Sequence, residues 1–302
     1  METESSNTRE EWLGKEALIH LAGIYQQLYL HPGPEGAEEY KQIVSKGMTA
    51  SVKDLSHFRS HPADRCFYED TPAGSVLVIT LHYREDFELF LQIMANRCIP
   101  YDIPATQGAA LLDGVVNWTK INAHRTSFMM SEKMAGNPEP DWNAEFKRFV
   151  SNKQNFKDAV IILSQGPYSA VPAEAAGMTE EAWIETSMTI RRIHECTHFI
   201  CRRMYPDKID AVWDELVADA AGIYAAVGRF DLRLAELFLG ITQDGYKGGR
   251  LQNYADGIDL DELALKVHAA LMIFDEEIRK YEDVSPFDIA IMLEDKKETL
   301  WK

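Results

Sequence analysis

Residues 189–200 read TIRRIHECTHFI and contain the pattern H-E-x-x-H at His194, Glu195 and His198. On an α-helix, residues four apart lie on one face, so the two imidazoles can bind one metal ion. Glu195 follows His194 by about 100° around the helix axis, close enough to address water on that ion without binding the ion itself. Imidazole ligands with a position left open for water are typical of catalytic zinc. The stretch therefore predicts a metal-binding helix.

The residues around this pattern favour one continuous helix over 179–203. Thr179 is suited to the N-cap, and two glutamates follow it in the first turn. Arg202 and Arg203 occupy the last turn, and Pro206 comes just beyond it. Acidic residues at the start and basic residues at the end both complement the helix dipole.

A third ligand is available on the next predicted helix, over residues 207–228. Glu215 and Asp219 are four apart on one face and are interleaved with Ala218 and Gly222. Small residues there would let this helix approach the first one closely. Glu215 can then complete the metal site, while Asp219 can hydrogen-bond the second nitrogen of a ligating histidine and fix its tautomer. The alternative, a solvated acidic face, fits less well with the small residues.

The pattern H-E-x-x-H followed, 17 positions after His198, by E-x-x-A-D resembles the signature of the gluzincin group of zinc metallopeptidases. The resemblance covers the two predicted helices. It implies that Glu195 is the general base and that Asp219 supports a ligand from outside the metal site. It implies Zn²⁺ as the cofactor, bound by His194, His198 and Glu215.

The related metzincin pattern does not fit, because it requires a glycine and a third histidine where this chain has Cys201 and Met204. Cys201 lies seven residues after His194 and hence on nearly the same helix face. A thiolate there could bind a metal, but a buried packing role is the commoner use of such a cysteine.

A glycine-rich segment over residues 240–257 follows the ligand helix and carries three candidate hydrogen-bond donors. Amide hydrolysis builds negative charge on the carbonyl oxygen, and a tyrosine hydroxyl or a guanidinium stabilises that charge. We therefore expect Tyr254, then Arg250, then Tyr246 to supply this donor. Ordinary loop anchoring is the alternative role for all three.

Composition narrows the partners and the compartment. The formal net charge of −17 would repel phosphate backbones and anionic lipid, so we expect neither nucleic-acid nor membrane binding. The first eleven residues lack the basic and apolar regions of a signal peptide, and the four cysteines lack disulfide-framework spacing. These features favour a cytoplasmic protein. The sequence does not indicate an oligomeric state.

The predicted fold class is α+β and mostly helical, with a zincin-like active-site helix pair beside a small β-sheet. Apolar, β-branched runs predict buried strands over 75–83 and 158–164, and 109–123 is predicted as a helix. The resemblance to zincins implies that 158–164 is an edge strand beside the metal helix that pairs with an extended substrate, with an ordinary strand inside the sheet as the alternative. We treat residues 1–302 as one globular chain. Its predicted portions are an N-terminal helical and strand portion, 1–135, and a zincin-like metal-binding portion, 141–302.

These features together predict a zinc metallopeptidase that hydrolyses peptide bonds, with a peptide or protein as its partner. Two alternatives remain open. A zinc-dependent hydrolase of a non-peptide amide would use the same ligands. A non-catalytic binding module would use the metal only to join two helices.

Overall fold

The computed structural model describes residues 10–281 and 283–301. It confirms a mostly helical α+β protein, with 56% of the described residues in helices. Residues 1–9, on which the expectation of no signal peptide partly rests, lie outside the described residues. The chain divides into two compact units. The first comprises the described parts of residues 1–69, 76–104 and 112–164, and the second those of 70–75, 105–111 and 165–302.

Most of a five-stranded mixed sheet belongs to the first unit, which does not include the strand residues within 70–75 and 105–111. The strands of the sheet are β1 (Glu11–Leu13), β2 (Arg65–Thr71), β3 (Gly74–Leu81), β4 (Ala109–Val116) and β5 (Lys157–Ser164). Their order across the sheet is β1-β2-β3-β5-β4. β3 and β5 are parallel, and β1 and β2 are antiparallel. Both parallel strands are almost wholly buried, as their unbroken apolar runs require.

The position of β5 in the sheet differs from the predicted edge position. The strand is confirmed, but it lies between β3 and β4 rather than at an edge of the sheet. Its backbone is therefore hydrogen-bonded on both sides and cannot pair with an extended substrate. Because β5 pairs with β3, it stays with the first unit. From Gln165 onward the described chain belongs to the second unit. The portions 1–135 and 141–302 stay a prediction.

The predicted helix over 109–123 is wrong in its first half, where the chain forms β4. The helix begins only after Asn117, whose side chain accepts a hydrogen bond from the backbone N–H of Lys120 at 3.2 Å. The helices of this unit are α1 (Gly14–Ile24), α2 (Pro34–Lys46), α3 (Arg84–Phe90), α4 (Trp118–Met134) and α5 (Trp142–Val150). A π-helical turn, Leu91–Ala95, continues α3.

The second unit is largely helical. Its helices are α6 (Ala173–Ala176), α7 (Glu180–Met204), α8 (Ala211–Val227), α9 (Leu232–Leu239), α10 (Leu260–Ile278), α11 (Pro286–Asp295) and α12 (Lys297–Leu300). Between α9 and α10 lie a small hairpin, β6 (Ile241–Thr242) and β7 (Gly245–Tyr246), and a 3₁₀ turn, Arg250–Tyr254. The loop predicted over 240–257 is thus partly ordered.

α7 and α8 pack directly against each other, as the small residues predicted. A Cβ on Gly222 would lie 2.8 Å from the carbonyl oxygen of Ile190, so only glycine permits this approach. Thr179 caps α7 as predicted, with its side chain accepting from the N–H of Ala182. α8 begins later than predicted, because Asp210 rather than Asp207 is its cap.

Two further features bear on the sequence-based expectations. Within the described ranges, none of the helices combines the length and apolar character that a membrane crossing needs. The four cysteines are all buried thiols, and none of them forms a disulfide.

Glu294 of α11 is a buried carboxyl, 1% exposed, that accepts a hydrogen bond of 2.9 Å from Trp213 Nε1. Burial, and then the charge of Asp214, raise the pKa of Glu294 from 4.5 to about 7, against the opposing charges of Lys297 and Lys208. The folded-state pKa thus lies above the unfolded one. Its stabilising contribution is complete below pH 4.5 and is lost as the pH rises through 7.

We expect the free energy of unfolding to fall by about 2–3 kcal/mol between pH 5 and pH 8 through this group alone. Glu294→Gln should remove that part of the slope, since glutamine can still accept from Trp213. The Cys201 thiol, which donates to Glu294, stays neutral over this range because burial raises its pKa. Urea unfolding at several pH values measures the difference, with the exposed Glu298→Gln as control. The expectation would be contradicted if the free energy of unfolding varied with pH in the same way for the wild type and for Glu294→Gln.

Candidate metal centre

The two helices bring the three predicted ligands together. His194 Nε2 and His198 Nε2, one turn apart on α7, are 3.0 Å from each other. Glu215 extends from α8 so that its Oε2 lies 3.5 Å from His194 Nε2 and its Oε1 lies 3.3 Å from His198 Nε2. All the candidate ligand atoms lie within 4.8 Å of one another. These three residues could hold a metal ion.

The spacing fits a small tetrahedral ion. Bonds of about 2.0–2.2 Å in tetrahedral geometry separate neighbouring ligand atoms by about 3.3–3.6 Å. The two Nε2 atoms are 3.0 Å apart, and each lies 3.3 or 3.5 Å from a different oxygen of Glu215, which is close to that range. The side chains of His198 and Glu215 keep 13% and 17% of their surface exposed, so the arrangement is not sealed from water.

Two observations at these atoms call for a cation. Glu215 Oε2 is buried and has no hydrogen-bond partner among the described residues, which is costly for a carboxylate oxygen. The Nε2 atoms of His194 and His198 face each other at 3.0 Å, and two lone pairs at that distance repel unless a proton or a metal ion lies between them. A metal ion bound by all three atoms removes both penalties.

Behind His194 lies a buried carboxylate, as predicted. Asp219 Oδ1 is 3.0 Å from His194 Nδ1, and the residue is completely buried. Its other oxygen forms an ion pair with Arg250. Burial alone would raise the pKa of Asp219, but Arg250 and His194 outweigh it and hold the pKa below its usual value. Asp219 is therefore a stable anion that can accept a hydrogen bond from His194 Nδ1–H.

Tyr168 also reaches this point, and sequence reasoning missed it. Its hydroxyl lies 2.6 Å from Asp219 Oδ1 and 2.8 Å from His194 Nδ1, and Arg250 donates to it at 2.9 Å. Tyr168 lies in the short segment between β5 and α7, and no spacing relative to the H-E-x-x-H pattern marks it. The turn-forming Gly166-Pro167 pair just before it is the one local signal.

The three candidate donors of the glycine-rich segment have different positions. Arg250 is mostly buried and is held by Asp219 and Tyr168, with its Nη1 3.8 Å from Glu215 Oε2. Tyr254 lies near Glu215: burial, opposed by Arg250, and then the charges of Glu215 and Asp219 raise its pKa above the usual range. The Tyr246 hydroxyl instead donates to the carbonyl oxygen of Gly249 and accepts from its N–H.

These positions bear differently on the expected donor role. Tyr246 anchors its own loop, which is the alternative role considered for it. Close contacts between Gly240 and Gly249 tighten the same loop, since a Cβ on either would meet the backbone of the other. In this loop conformation Arg250 lies next to Asp219. A role for Tyr254 or Arg250 in stabilising negative charge stays a prediction.

Glu195 lies beside the ligand pair. Burial lowers the pKa of His198, but a hydrogen bond to Glu215 and the charges of Glu215 and Glu195 outweigh it and raise that pKa overall. Glu195 is partly exposed. Its role as the base stays a prediction.

Cys201 is not among the candidate ligands. Its thiol lies 3.8 Å from Glu294 Oε1, in the buried cluster described above, so its packing role is confirmed. His268 is also remote from the ligands, and its Nδ1 pairs with Glu236 at 2.7 Å.

The fold and site define an α+β protein in which two packed helices gather two imidazoles and a carboxylate able to hold a metal ion. The chain belongs to a family of unknown function, DUF7005, whose sequence profile matches residues 23–289. The matched range includes every residue of the candidate metal centre. Neither the curated proteins nor the solved structures give a match to the chain.

Proposed function

We propose that this protein is a zinc-dependent hydrolase of amide bonds, and specifically a peptidase. The observation that carries the proposal is the convergence of His194, His198 and Glu215 at tetrahedral ligand spacing, with Glu195 next to the first ligand. Two imidazoles and one carboxylate form a ligand set that zinc uses in catalytic sites. Other divalent ions prefer more oxygen ligands or other geometries.

Each residue has a distinct part in the proposed reaction. Zinc, when bound, supplies Lewis-acid polarisation of water and of the scissile carbonyl. Glu195 accepts the proton of the attacking water and passes it to the leaving amine. Asp219 keeps the Nδ1 proton on His194, so that Nε2 offers its lone pair. Tyr254 and Arg250 are the proposed hydrogen-bond donors to the developing oxyanion.

Two features argue against a metal that merely joins the helices. Structural zinc sites have four protein ligands, whereas three converge among the described residues. α7 and α8 already share a tightly packed apolar contact at Gly222 and Ile190, so the pair does not depend on a metal to associate. Hydrolysis needs a carboxylate beside the ligands that does not bind the metal, whereas a metal that only joins two helices does not.

The ligands do not distinguish a peptide from another amide. We propose a peptide or protein substrate because the resemblance to gluzincins extends over both helices. We also propose a cytoplasmic location. The four cysteines are buried thiols without disulfides, as is usual in a reducing compartment. Release of products from a peptide library, compared with release from acylated small molecules, would separate the two substrate classes.

Metal analysis of the purified protein is the first test. We expect about one zinc ion per chain in the wild type, and much less in Glu215→Ala because one of three ligands is lost. Glu236→Gln is the matched control, since it disrupts a histidine–glutamate pair of the same unit away from the ligands. A wild type that binds no zinc, nickel, cobalt or manganese would overturn the proposal.

A further inference from the structure

Tyr168 is the one residue outside α7 and α8 whose side chain touches both His194 and Asp219 in the described parts of the chain. It is 4% exposed, and its ring meets the His194 imidazole edge-on, with centroids 5.8 Å apart. Its hydroxyl contacts three groups: His194 Nδ1, Asp219 Oδ1 and an Arg250 nitrogen. The residue thus joins a ligand, its supporting carboxylate and a buried cation.

The backbone of Tyr168 is fixed from the same helix that carries the histidines. Its N–H donates to Ser187 Oγ at 2.9 Å. Arg191 donates to the carbonyl oxygens of the two preceding residues, at 3.2 and 3.0 Å. Ser187, Arg191 and His194 lie within two turns of one face of α7, so this face positions both the tyrosine and the ligand it touches.

The residues after Tyr168 are in an unfavourable conformation. Ser169 and Ala170 have φ angles of +51° and +57°, in the left-handed region that costs a non-glycine residue about 1 kcal/mol or more. Strain of this kind persists where surrounding contacts impose it, and it clusters at functional sites. Here those contacts are the ones that hold Tyr168 at the metal centre.

The hydroxyl contacts assign the protons. Arg250 can only donate, so the Tyr168 oxygen is its acceptor. The tyrosine's own proton goes to Asp219 Oδ1, the closest acceptor at 2.6 Å. His194 Nδ1 then faces two acceptors, the tyrosine oxygen and Asp219 Oδ1, and must carry a proton. The Nε2 atom of His194 is left unprotonated and aimed at the other ligands.

We propose that Tyr168 is a positioning residue that fixes the orientation and the tautomer of His194 and thereby sets the affinity of the centre for its metal. The inference rests on the proposed metal centre. Without the hydroxyl, His194 Nδ1 keeps only the longer contact to Asp219. Asp219 is then held from one side by Arg250, which draws it away from the imidazole.

Tyr168→Phe tests this role with inorganic zinc as the probe. We expect its zinc affinity, measured by competition with a chromogenic chelator, to fall about 10–100-fold, the range typical of groups that support a ligand. Tyr25→Phe is the matched control. Tyr25 is equally buried and donates to a carboxylate, Asp158, at 2.6 Å, and that carboxylate also contacts a cation, Lys120. This variant loses the same kind of hydrogen bond but should keep wild-type zinc affinity.

Cobalt supplies a readout that a general loss of stability would not change. The visible absorption of bound Co²⁺ reports its coordination geometry, and we expect it to be altered in Tyr168→Phe and unchanged in Tyr25→Phe. If Tyr168→Phe fails to fold, Ser187→Ala frees the tyrosine backbone while leaving its hydroxyl, and it should bind zinc less tightly than Tyr25→Phe does.

The outcomes separate this inference from the proposed function. Wild-type zinc affinity and an unchanged cobalt spectrum in Tyr168→Phe would overturn the positioning role alone. If Tyr168→Phe did not fold, equal zinc affinities of Ser187→Ala and Tyr25→Phe would overturn it as well. A wild type that binds neither ion would overturn the proposed function and this inference with it.

Discussion

Glu195→Gln should lower kcat by about 10²–10⁴-fold and leave the zinc content of the protein unchanged. Glutamine keeps the shape of the side chain but cannot accept a proton, and Glu195 is not a ligand. His194→Ala should lose both zinc and turnover, because it removes one of three ligand atoms. Peptide hydrolysis rates and metal content, measured on the same preparations, check both expectations.

The control for Glu195→Gln is Glu185→Gln, which changes an exposed glutamate on the same helix. It should retain the wild-type kcat. Full activity in Glu195→Gln would contradict the proposed mechanism. Activity that depends on Glu195 in a protein without metal would contradict the role of zinc instead.

The same pair of variants distinguishes the alternative functions. In a binding module joined by metal, Glu195 would be dispensable, and a chelator would lower the melting temperature without removing any turnover. A hydrolase of non-peptide amides would share the Glu195 dependence and differ only in substrate. The Glu195 experiment therefore addresses catalysis, and the substrate comparison addresses its target.

The part of the site that lies on helices could be predicted from sequence, because helical spacing alone determines which side chains share a face. His194 and His198 are four apart, and so are Glu215 and Asp219. The glycine at Gly222 correctly indicated that the two helices approach closely. These are local patterns, and no long-range information is needed to read them.

The part of the site that comes from loops could not be predicted in the same way. Tyr168 precedes His194 by 26 residues and Arg250 follows Asp219 by 31, and loop geometry decides where each side chain ends. Arg250 was expected near the substrate oxygen. Its position beside Asp219 follows from the tight contact of Gly240 with Gly249, which depends on the fold of the hairpin.

The fold was predicted wrongly at positions that also depend on residues far apart in the sequence. Residues 109–116 are rich in alanine and leucine, which favour a helix, yet they form β4 because β5 is available as a neighbour in the sheet. Asn117 lies inside the predicted helix 109–123, whereas it caps the helix that begins after it. The apolar run of β5 predicted a buried strand correctly, but its place in the sheet depends on its partners.

Arg250→Met should lower the free energy of unfolding of the metal-free protein by about 3–5 kcal/mol. Methionine has a similar length but no charge. Its introduction leaves Asp219, which is 0% exposed, as a buried carboxylate without its cation. Arg279→Met is the control: that arginine pairs with Asp275 on the surface, with 75% of its side chain exposed, and its loss should leave stability almost unchanged. Urea unfolding in the presence of a chelator measures both variants.

The double variant Arg250→Met with Asp219→Asn tests whether the loss arises from the unpaired charge. Replacing both members of a buried ion pair by neutral groups is much less harmful than removing one. We therefore expect the double variant to recover part of the stability that Arg250→Met loses. A double variant less stable than Arg250→Met would mean that Asp219 stabilises the fold without Arg250, through Tyr168 and His194 alone. In that case Arg250 is held in place by the glycine loop for another purpose, such as stabilising the oxyanion.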